Sequence, residues 1–220
     1  MQPRAILLAV LGLAACHETG RGPLSPPREL EGGAEIAIGR GPDVGMYLKV
    51  RPPHAAGPYS NLVIRKGRIS GIHCGAGLDL KVSADHISGF GPGGGVVEME
   101  VWGDDSDLKA EGMWNGAYGH IEANPEVLRV TLALRPTRVE RGRVIPSVSR
   151  SWSFRRGADG LFSGTPMVNG TPQYTTLFVD AKVNAYLTRS EILTLLMTML
   201  AGGIDRGFNG NDPFACGARG

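Results

Sequence analysis

The sequence contains little of what would identify an enzyme or a membrane-spanning protein. Among its 220 residues are 3 cysteines, aromatic side chains make up 6%, and the formal net charge is +2. So small a net charge excludes a strongly electrostatic partner for the chain as a whole. No apolar run reaches the roughly 20 residues that a transmembrane helix needs. No serine, histidine or carboxylate stands in the spacing of a catalytic motif such as Gly-x-Ser-x-Gly.

The first 15 residues have the three parts of a secretory signal. Arg4 supplies positive charge, an apolar segment runs from Ala5 to Leu13, and small residues precede Cys16. Because the apolar segment is short and is followed at once by polar residues, it cannot cross a bilayer as a helix. We predict that residues 1–15 are a cleaved leader rather than an anchor helix.

The tetrad Leu13-Ala14-Ala15-Cys16 resembles the lipobox of bacterial lipoproteins. The resemblance implies cleavage before Cys16 by the lipoprotein signal peptidase, with fatty acids such as palmitate attached there. Two or more acyl chains, at about 0.8 kcal/mol per buried methylene, hold a protein stably on a membrane. The alternative is an ordinary secretory leader in which Cys16 is only an apolar residue.

The residue after the cysteine bears on location. In the resembling family an aspartate there often retains the lipoprotein at the inner membrane of Gram-negative cells, and this chain has His17. The resemblance therefore implies the outer membrane, with display toward the periplasm or the cell surface left open.

Residues 16–33 are rich in proline, glycine and charge, and the sequence predicts a lipidated cysteine followed by a flexible tether. Residues 34–220 suffice for one medium domain. The chain has 33 glycines and 15 prolines but one convincing helix signal, a profile that favours many short strands joined by tight turns. We predict a mainly β domain, an antiparallel β-sandwich or partial barrel with one C-terminal helix.

Alternating apolar and polar residues predict individual strands. Three segments alternate in this way: Leu78, Leu80 and Val82 against Asp79, Lys81 and Ser83; Val97, Met99 and Val101 against Glu98 and Glu100; and Leu128, Val130, Leu132 and Leu134 against Arg129, Thr131 and Arg135, with Pro136 as a stop. Turns are predicted at Lys66-Gly67, at 91–95 and at 103–107. Ile69-Ser70-Gly71 recurs as Ile87-Ser88-Gly89, which could mark equivalent strand positions in a meander.

The helix signal lies near the C-terminus. Thr188 and Glu191 form a capping box, an apolar run follows, and Gly202-Gly203 supplies the stop, so a helix is predicted from about 189 to 201. Because apolar residues occupy almost its whole circumference, we expect it to be covered by the sheet, to enter a barrel mouth, or to meet a partner or membrane.

Cys74 and Cys216 remain after lipidation, and an exported chain enters an oxidising compartment, so the sequence predicts a disulfide between them. Two buried thiols are one alternative. A metal site at His73 and Cys74 is the other, and it is disfavoured because adjacent strand residues point to opposite faces.

Arginine is concentrated in one stretch that holds a single acid, Glu140. We predict that this stretch binds an anionic partner through bidentate contacts. A solvated hairpin is the alternative. The residues are Arg135, Arg138, Arg141, Arg143, Arg150, Arg155 and Arg156.

Candidates for catalysis and metal binding are weak. His86 is beside Asp85, His120 is near Glu122, and Glu98 and Glu100 share a strand face, but none forms a triad by spacing. Two segments offer calcium ligands, Asp104 with Asp105 and Asp107, and the partial EF-hand pattern at 205–216, which has glycine and cysteine where ligands belong. No catalytic residue, metal or cofactor is predicted.

The sequence thus predicts a lipid-anchored cell-envelope protein with a binding or scaffolding domain in an envelope or surface assembly. Its expected partners are the outer membrane, through the anchor, and an envelope protein or an anionic glycan or lipid, with no nucleic acid. The alternatives are an enzyme acting on envelope glycan or lipid, which would need His86, His120 or Glu122 together in a pocket, and a carrier of apolar ligands, which would need a sheet curved around empty volume.

Overall fold

The computed structural model describes residues 33–40, 43–104, 106–140, 143–158, 161–164, 167–168, 171–172 and 175–201, with side chains at 33–38, 46–104, 106–132, 151–158, 161–164 and 176–201. Several predictions lie outside these ranges. They concern the leader, Cys16 and the tether before Gly33, Asp105, Arg141, the 205–216 segment with Cys216, and the side chains of Arg135, Arg138, Arg143 and Arg150.

Sixteen strands and two helices make up the described fold. The strands are β1 Ala34–Arg40, β2 Asp43–Arg51, β3 His54–Gly57, β4 Ser60–Ile64, β5 Arg68–His73, β6 Ala76–Val82, β7 His86–Phe90, β8 Val96–Gly103, β9 Leu108–Trp114, β10 Ala117–Ala123, β11 Val127–Glu140, β12 Arg143–Arg156, β13 Phe162–Gly164, β14 Met167–Val168, β15 Thr171–Pro172 and β16 Thr175–Val179. The helices are α1 Val183–Tyr186 and α2 Arg189–Ala201.

The strands close into an antiparallel barrel. Each strand from β1 to β11 pairs with the next strand in the sequence. β12 then pairs with β13, β13 with β16, and β16 with β1, which closes a circle of 14 strands. The mainly β, antiparallel prediction is confirmed, but a closed barrel replaces the expected sandwich or partial barrel. The physical reason is the pairing of β11 with β12 and of β16 with β1, since these two contacts join what would otherwise be open edges of the barrel wall.

The predicted alternation is present in the strands, with apolar side chains inside the barrel and polar side chains outside. In β6, Leu78, Leu80 and Val82 are buried, and in β8 the same holds for Val97, Met99 and Val101. In β11, Leu128, Val130 and Leu132 are buried. One packed face and one polar face are typical of antiparallel sheets.

Helix α2 fills the barrel. It begins at Arg189 and ends at Ala201, as predicted, and 11 of its 13 residues are buried. The capping box is present: Thr188 donates from its backbone N to Glu191 Oε2 at 2.9 Å, and Glu191 donates from its backbone N to Thr188 Oγ1 at 3.3 Å. No helix in the described ranges has the length and apolarity needed to cross a membrane.

The helix enters at one end of the barrel, which we call the helix end. There Ser190 Oγ donates to the backbone carbonyl of Ala84, in the turn between β6 and β7, at 3.2 Å. The turn between β11 and β12 lies at the opposite end, because strands alternate in direction around the barrel. We call this the arm end.

The repeated Ile-Ser-Gly triplets occupy equivalent places in β5 and β7. Gly71 has φ of +140° and Gly89 has φ of +133°, and a Cβ at either would lie 2.2 or 2.3 Å from a backbone carbonyl oxygen of the preceding strand. Glycines of this kind let the sheet bend toward a barrel. The recurrence therefore marks two bends in the barrel wall.

One hairpin continues beyond the barrel wall. β10 pairs with β11 only as far as Ala133, and β14 pairs with β12 from Arg150, so residues 134–140 and 143–149 pair only with each other among the described residues. We call these residues the arm, and at about 3.3 Å per residue it is about 23 Å long. Pro136 was predicted to end β11, and that was wrong. It lies at an irregularity in register between Arg135 and Arg138, where a proline is tolerated.

Candidate functional site

The barrel exterior carries a groove across β7, β8, β9 and β10, of about 300 Å³. We call it the outer groove. Its walls are carboxylates, one imidazole and two aromatic rings, contributed by His86, Glu98, Glu100, Trp102, Glu111 and Tyr118. These side chains share the outer face because they alternate with buried residues along their strands.

The register places the acids of the groove side by side. Glu100 lies directly opposite Glu111 across β8 and β9, and opposite His86 across β7 and β8. The Nε2 of His86 is 2.9 Å from Glu98 Oε1, so the imidazole is bonded to Glu98. In the described part of the chain no cation is bonded to Glu100 or Glu111. The groove therefore has an acidic centre.

Apolar side chains surround this centre. Trp102 and Tyr118 are each 42% exposed, and Met113 lies next to Tyr118 on β9. Toward the arm end, Phe90 and Val96 are cross-strand neighbours, 58% and 56% exposed. Aromatic rings beside carboxylates suit a ligand that is cationic and partly apolar.

The predicted pairings of histidine with acid do not form a catalytic site. Asp85 accepts a hydrogen bond from Ser83 Oγ at 2.8 Å, which lowers the pKa of Asp85 and holds its carboxylate in the turn. On β10, Glu122 is bonded to Arg129 at 3.1 Å and lies 3.5 Å from His120 Nε2.

The contacts with Arg129 and His120 both lower the pKa of Glu122, and the contact with Arg129 has the larger effect. The outer groove contains His86 but neither His120 nor Glu122. The pocket that the enzyme hypothesis required, with these three side chains together, is not found among the described residues.

A hydrogen-bonded serine and histidine do occur, but inside the barrel. Ser60 Oγ is 2.7 Å from His73 Nδ1, and both residues are buried. Burial lowers the pKa of His73 to about 4. A substrate has no access to this pair, which we assign to the core.

The sequence predicted that His73 and Cys74 point to opposite faces of a strand, and the structure shows otherwise. Cys74 lies in the turn after β5 with φ of +51°, not on the strand, and its Sγ is 3.2 Å from His73 Nε2. Adjacent residues can therefore be in contact here. Because Cys216 lies outside the described residues, the disulfide between Cys74 and Cys216 stays a prediction.

The arginine stretch does not form one patch. Arg135, Arg138 and Arg143 belong to the arm, and Arg150 lies at its base. Arg155 and Arg156 are exposed at the helix end, where Arg156 is bonded through its backbone N to Glu126 O and lies over the Phe162 ring. These two arginines line a separate open cleft of about 770 Å³ with 125–127. The arginines of this stretch therefore lie at opposite ends of the barrel.

The acidic turn between β8 and β9 has a structural explanation. Asp104 Oδ1 accepts hydrogen bonds from Ser106 Oγ at 2.6 Å and from the backbone N of Ser106 at 2.8 Å. Ser106 thereby lowers the pKa of Asp104. Asp107 is bonded to Lys109 at 3.2 Å. Within the described ranges no three histidine, cysteine or acidic side chains are grouped to hold a metal ion.

Sequence reasoning missed the outer groove and the buried Ser60–His73 pair. Both could have been found from the hairpin turns that the sequence does predict. A two-residue turn at Lys66-Gly67 places Ser60 opposite His73, and the turn after Gly103 places Glu100 opposite Glu111. The signal was the register that each turn imposes on its strands.

Comparison with known proteins gives no family assignment. No protein-family model matches the sequence, and neither curated proteins nor solved structures include a significant match.

Proposed function

We propose that this chain is a lipid-anchored cell-envelope protein whose barrel binds or scaffolds a partner in an envelope or surface assembly. The likeness of 13–16 to a lipobox supports the anchor, and His17 in place of an aspartate supports the outer membrane as the destination. The partner is an envelope protein or an anionic glycan or lipid. The observation that carries the binding role is the arm, a hairpin that continues past the barrel wall and whose described residues include three arginines.

The packed interior supports a role for the outer surface. Helix α2 is buried among the strands, with Leu195 and Met197 fully covered. A carrier of apolar ligands needs a cavity of several hundred Å³ for its cargo. Since the chain's own helix occupies the middle of the barrel, contacts with other molecules are expected at the outer face and at the arm.

The arm has the composition of a binding element. An isolated two-stranded hairpin is at best marginally stable in water. This one carries Val139 opposite Val144, and Arg138 opposite Ile145, with no further strand beside them among the described residues. A partner that offers carboxylates or phosphates would be engaged by the guanidinium groups.

The anchor and the arm are tested separately in cells. Metabolic labelling with a fatty acid should mark the wild type and spare Cys16→Ser, and equal labelling of the two would contradict the anchor. For the arm, the double variant Arg135→Gln/Arg138→Gln is compared with Arg65→Gln/Lys81→Gln, which removes two exposed charges elsewhere. Crosslinking followed by pull-down should lose partners only in the arm variant. The same partners in both would overturn the binding role.

A further inference from the structure

The two ends of the barrel differ in polarity. Nine large apolar side chains are exposed in the described residues, and six of them lie in a turn at the arm end or within two residues of one. We call these six the apolar collar. They are Tyr59, Ile72, Phe90, Val96, Met113 and Tyr118.

The turns beside the collar contain no charged residue. They join β3 to β4, β5 to β6, β7 to β8 and β9 to β10, at 58–59, 74–75, 91–95 and 115–116. The four helix-end turns that alternate with them, from β4 to β11, each contain at least one charge, for example Arg65, Asp85, Asp104 and Glu126. Scattered apolar side chains are ordinary on a protein surface, but a set gathered at one end indicates a contact surface.

Neighbouring strands bring the collar side chains together. Phe90 on β7 is paired with Val96 on β8, and Met113 on β9 is paired with Tyr118 on β10. Because β8 and β9 are themselves paired, the two pairs lie side by side on the outer wall. Phe90 and Val96 are 58% and 56% exposed although each is the other's cross-strand neighbour. The collar is therefore a continuous apolar rim along these four strands.

The charged part of the wall begins directly below the collar. Asp79 is opposite Phe90, and Glu98 is opposite Met113. Each of these acids already has a basic partner, since Asp79 is bonded to Arg68 and Glu98 to His86. An apolar layer that covered the collar would therefore stop at a row of paired polar groups. The contact surface is shallow and lies at the rim.

We propose that the apolar collar rests in the head-group region of the membrane that holds the lipid anchor, so that the arm end faces lipid and the helix end faces water. This inference rests on the proposed function, which supplies the anchor, and it adds the orientation of the barrel. Apolar and aromatic side chains that lie on a membrane without spanning it are buried by about 5–10 Å, which fits a rim of two residues per strand. Tyrosines suit this depth because the ring is apolar and the hydroxyl stays hydrated.

The length of the chain before β1 permits this orientation. β1 begins at Ala34, opposite Val50, so the tether joins the barrel at the helix end. The covalent length of residues 16–33 allows them to span up to about 60 Å. The barrel wall is shorter, since the longest collar strand, β8, extends over about 26 Å. An anchor at residue 16 can therefore reach the membrane while the helix end points away from it.

The shape of the collar favours lipid over a second copy of the chain. Its side chains follow the curved rim from the turn before β4 to β10 and are not gathered in one groove. Protein interfaces need complementary shapes, whereas a fluid lipid layer adapts to a convex rim. The arm leaves the barrel at the same end, since Ala133 is paired with Tyr118. A membrane that touches the collar is therefore also within reach of the arm.

Fluorescence quenching tests the orientation on the full chain, purified from membranes in mild detergent and returned to phosphatidylcholine vesicles. Phe90→Trp places an indole in the collar, and the matched control Phe178→Trp places one on β16, at a side chain that is 41% exposed outside the collar. Lipids with bromine on their acyl chains quench an indole that touches them. They should reduce the fluorescence added by Phe90→Trp, relative to wild type, by about half, as expected for a ring at interfacial depth. The fluorescence added by Phe178→Trp should stay unchanged.

A second reporter keeps the test valid if Phe90→Trp does not fold, which near-ultraviolet circular dichroism checks. Met113→Trp places the indole on β9 and should be quenched in the same way. Adding Phe90→Ser/Val96→Ser to this reporter should reduce its quenching, whereas adding Tyr186→Ser, outside the collar, should not. Equal quenching of the collar and control reporters, or no quenching of either collar reporter, would overturn the proposal. So would absence of quenching together with a dimer in solution that Phe90→Ser/Val96→Ser dissociates, because the occupant would then be a second copy.

The outcomes separate this inference from the proposed function. Fatty-acid labelling of the wild type without quenching at position 90 would support the anchor and reject the collar. Quenching at position 90 without fatty-acid labelling would support the collar and reject the anchor. Salt distinguishes the collar from contacts made by arginines. Quenching should be the same in 0.5 M salt, because the collar is uncharged and screening weakens only charged contacts, and quenching that disappears at high salt would reject the collar as the cause.

Discussion

Ser60 and His73 are bonded inside the barrel, with Ser60 Oγ 2.7 Å from His73 Nδ1 across β4 and β5. The buried imidazole has a pKa of about 4 and is neutral at pH 7. Its Nε2 faces the Cys74 sulfur, a weak acceptor, at 3.2 Å. The imidazole therefore carries its proton on Nε2, which donates to the Cys74 sulfur, and the Ser60 hydroxyl donates to Nδ1. Both ring nitrogens of His73 then have a hydrogen-bond partner.

This relationship predicts that the free energy of unfolding falls on mild acidification. The unfolded imidazole has its ordinary pKa of 6.5, and the folded one is at about 4. As pH falls from 6.5 to 4, the unfolded state binds a proton that the folded state excludes, so stability is complete above 6.5 and is lost within this window. The loss at pH 5, relative to pH 8, should be about 2 kcal/mol. Urea unfolding at a series of pH values measures it.

The matched variant is His73→Asn, which cannot be protonated. Its absolute stability can differ for reasons of packing, so the slope with pH is the quantity compared. The slope between pH 6.5 and 5 should largely disappear in this variant. The same slope in both proteins would show that other groups cause the acid sensitivity.

The capping box of α2 should contribute to the stability of the whole barrel, because this helix is the centre of the core. In Glu191→Ala the backbone N and the hydroxyl of Thr188 both lose their acceptor. We expect the free energy of unfolding to fall by about 1 kcal/mol, the usual cost of a lost helix cap. Glu191→Gln keeps an oxygen in place and should retain most of the stability. Equal losses in the two variants, measured by thermal unfolding, would contradict a capping role.

A third prediction concerns the bend in β7. In Gly89→Ala a Cβ would lie 2.3 Å from the Asp79 backbone oxygen, at a φ of +133° that other residues rarely adopt. The free energy of unfolding should fall by about 2–3 kcal/mol. Gly77→Ala on the neighbouring strand is the control, since the nearest atom to its new Cβ is 4.0 Å away. A Gly89→Ala protein as stable as the control would show that the wall can bend without glycine here.

Much of the fold could be predicted because local rules decide it. Alternation in β6 and β8 identified the buried faces, and Thr188 with Glu191 located the start of α2. The closing contact between β11 and β12 was harder to predict, because its register is irregular near Pro136 and continues past the barrel wall. Bending at Gly71 and Gly89 depends on a close approach to another strand, which no single strand's pattern reveals.

The candidate site was predictable only in part, for a related reason. The outer groove combines residues from four strands, so several hairpin registers must be placed in sequence before Glu100, Glu111 and Tyr118 come together. The arginine stretch was visible in the chain, but a strand of 14 residues carries its two halves to opposite ends of the barrel. Arginines that are close together in the sequence are therefore far apart in the structure.

The opposed pair of acids in the outer groove gives a prediction about stability and its dependence on salt. Glu111→Gln removes the repulsion with Glu100, and the free energy of unfolding should rise by about 0.2–1 kcal/mol at low salt. Glu98→Gln is the comparison, because its carboxylate is bonded to His86 at 2.9 Å and its neutralisation should give no such gain. In 0.5 M salt the gain from Glu111→Gln should shrink, since screening already weakens the repulsion.

Thermal unfolding at two salt concentrations measures this effect, and lower stability of Glu111→Gln at low salt would contradict it. A residue that reduces the stability of its own fold is typical of a surface that has been selected for function rather than for stability.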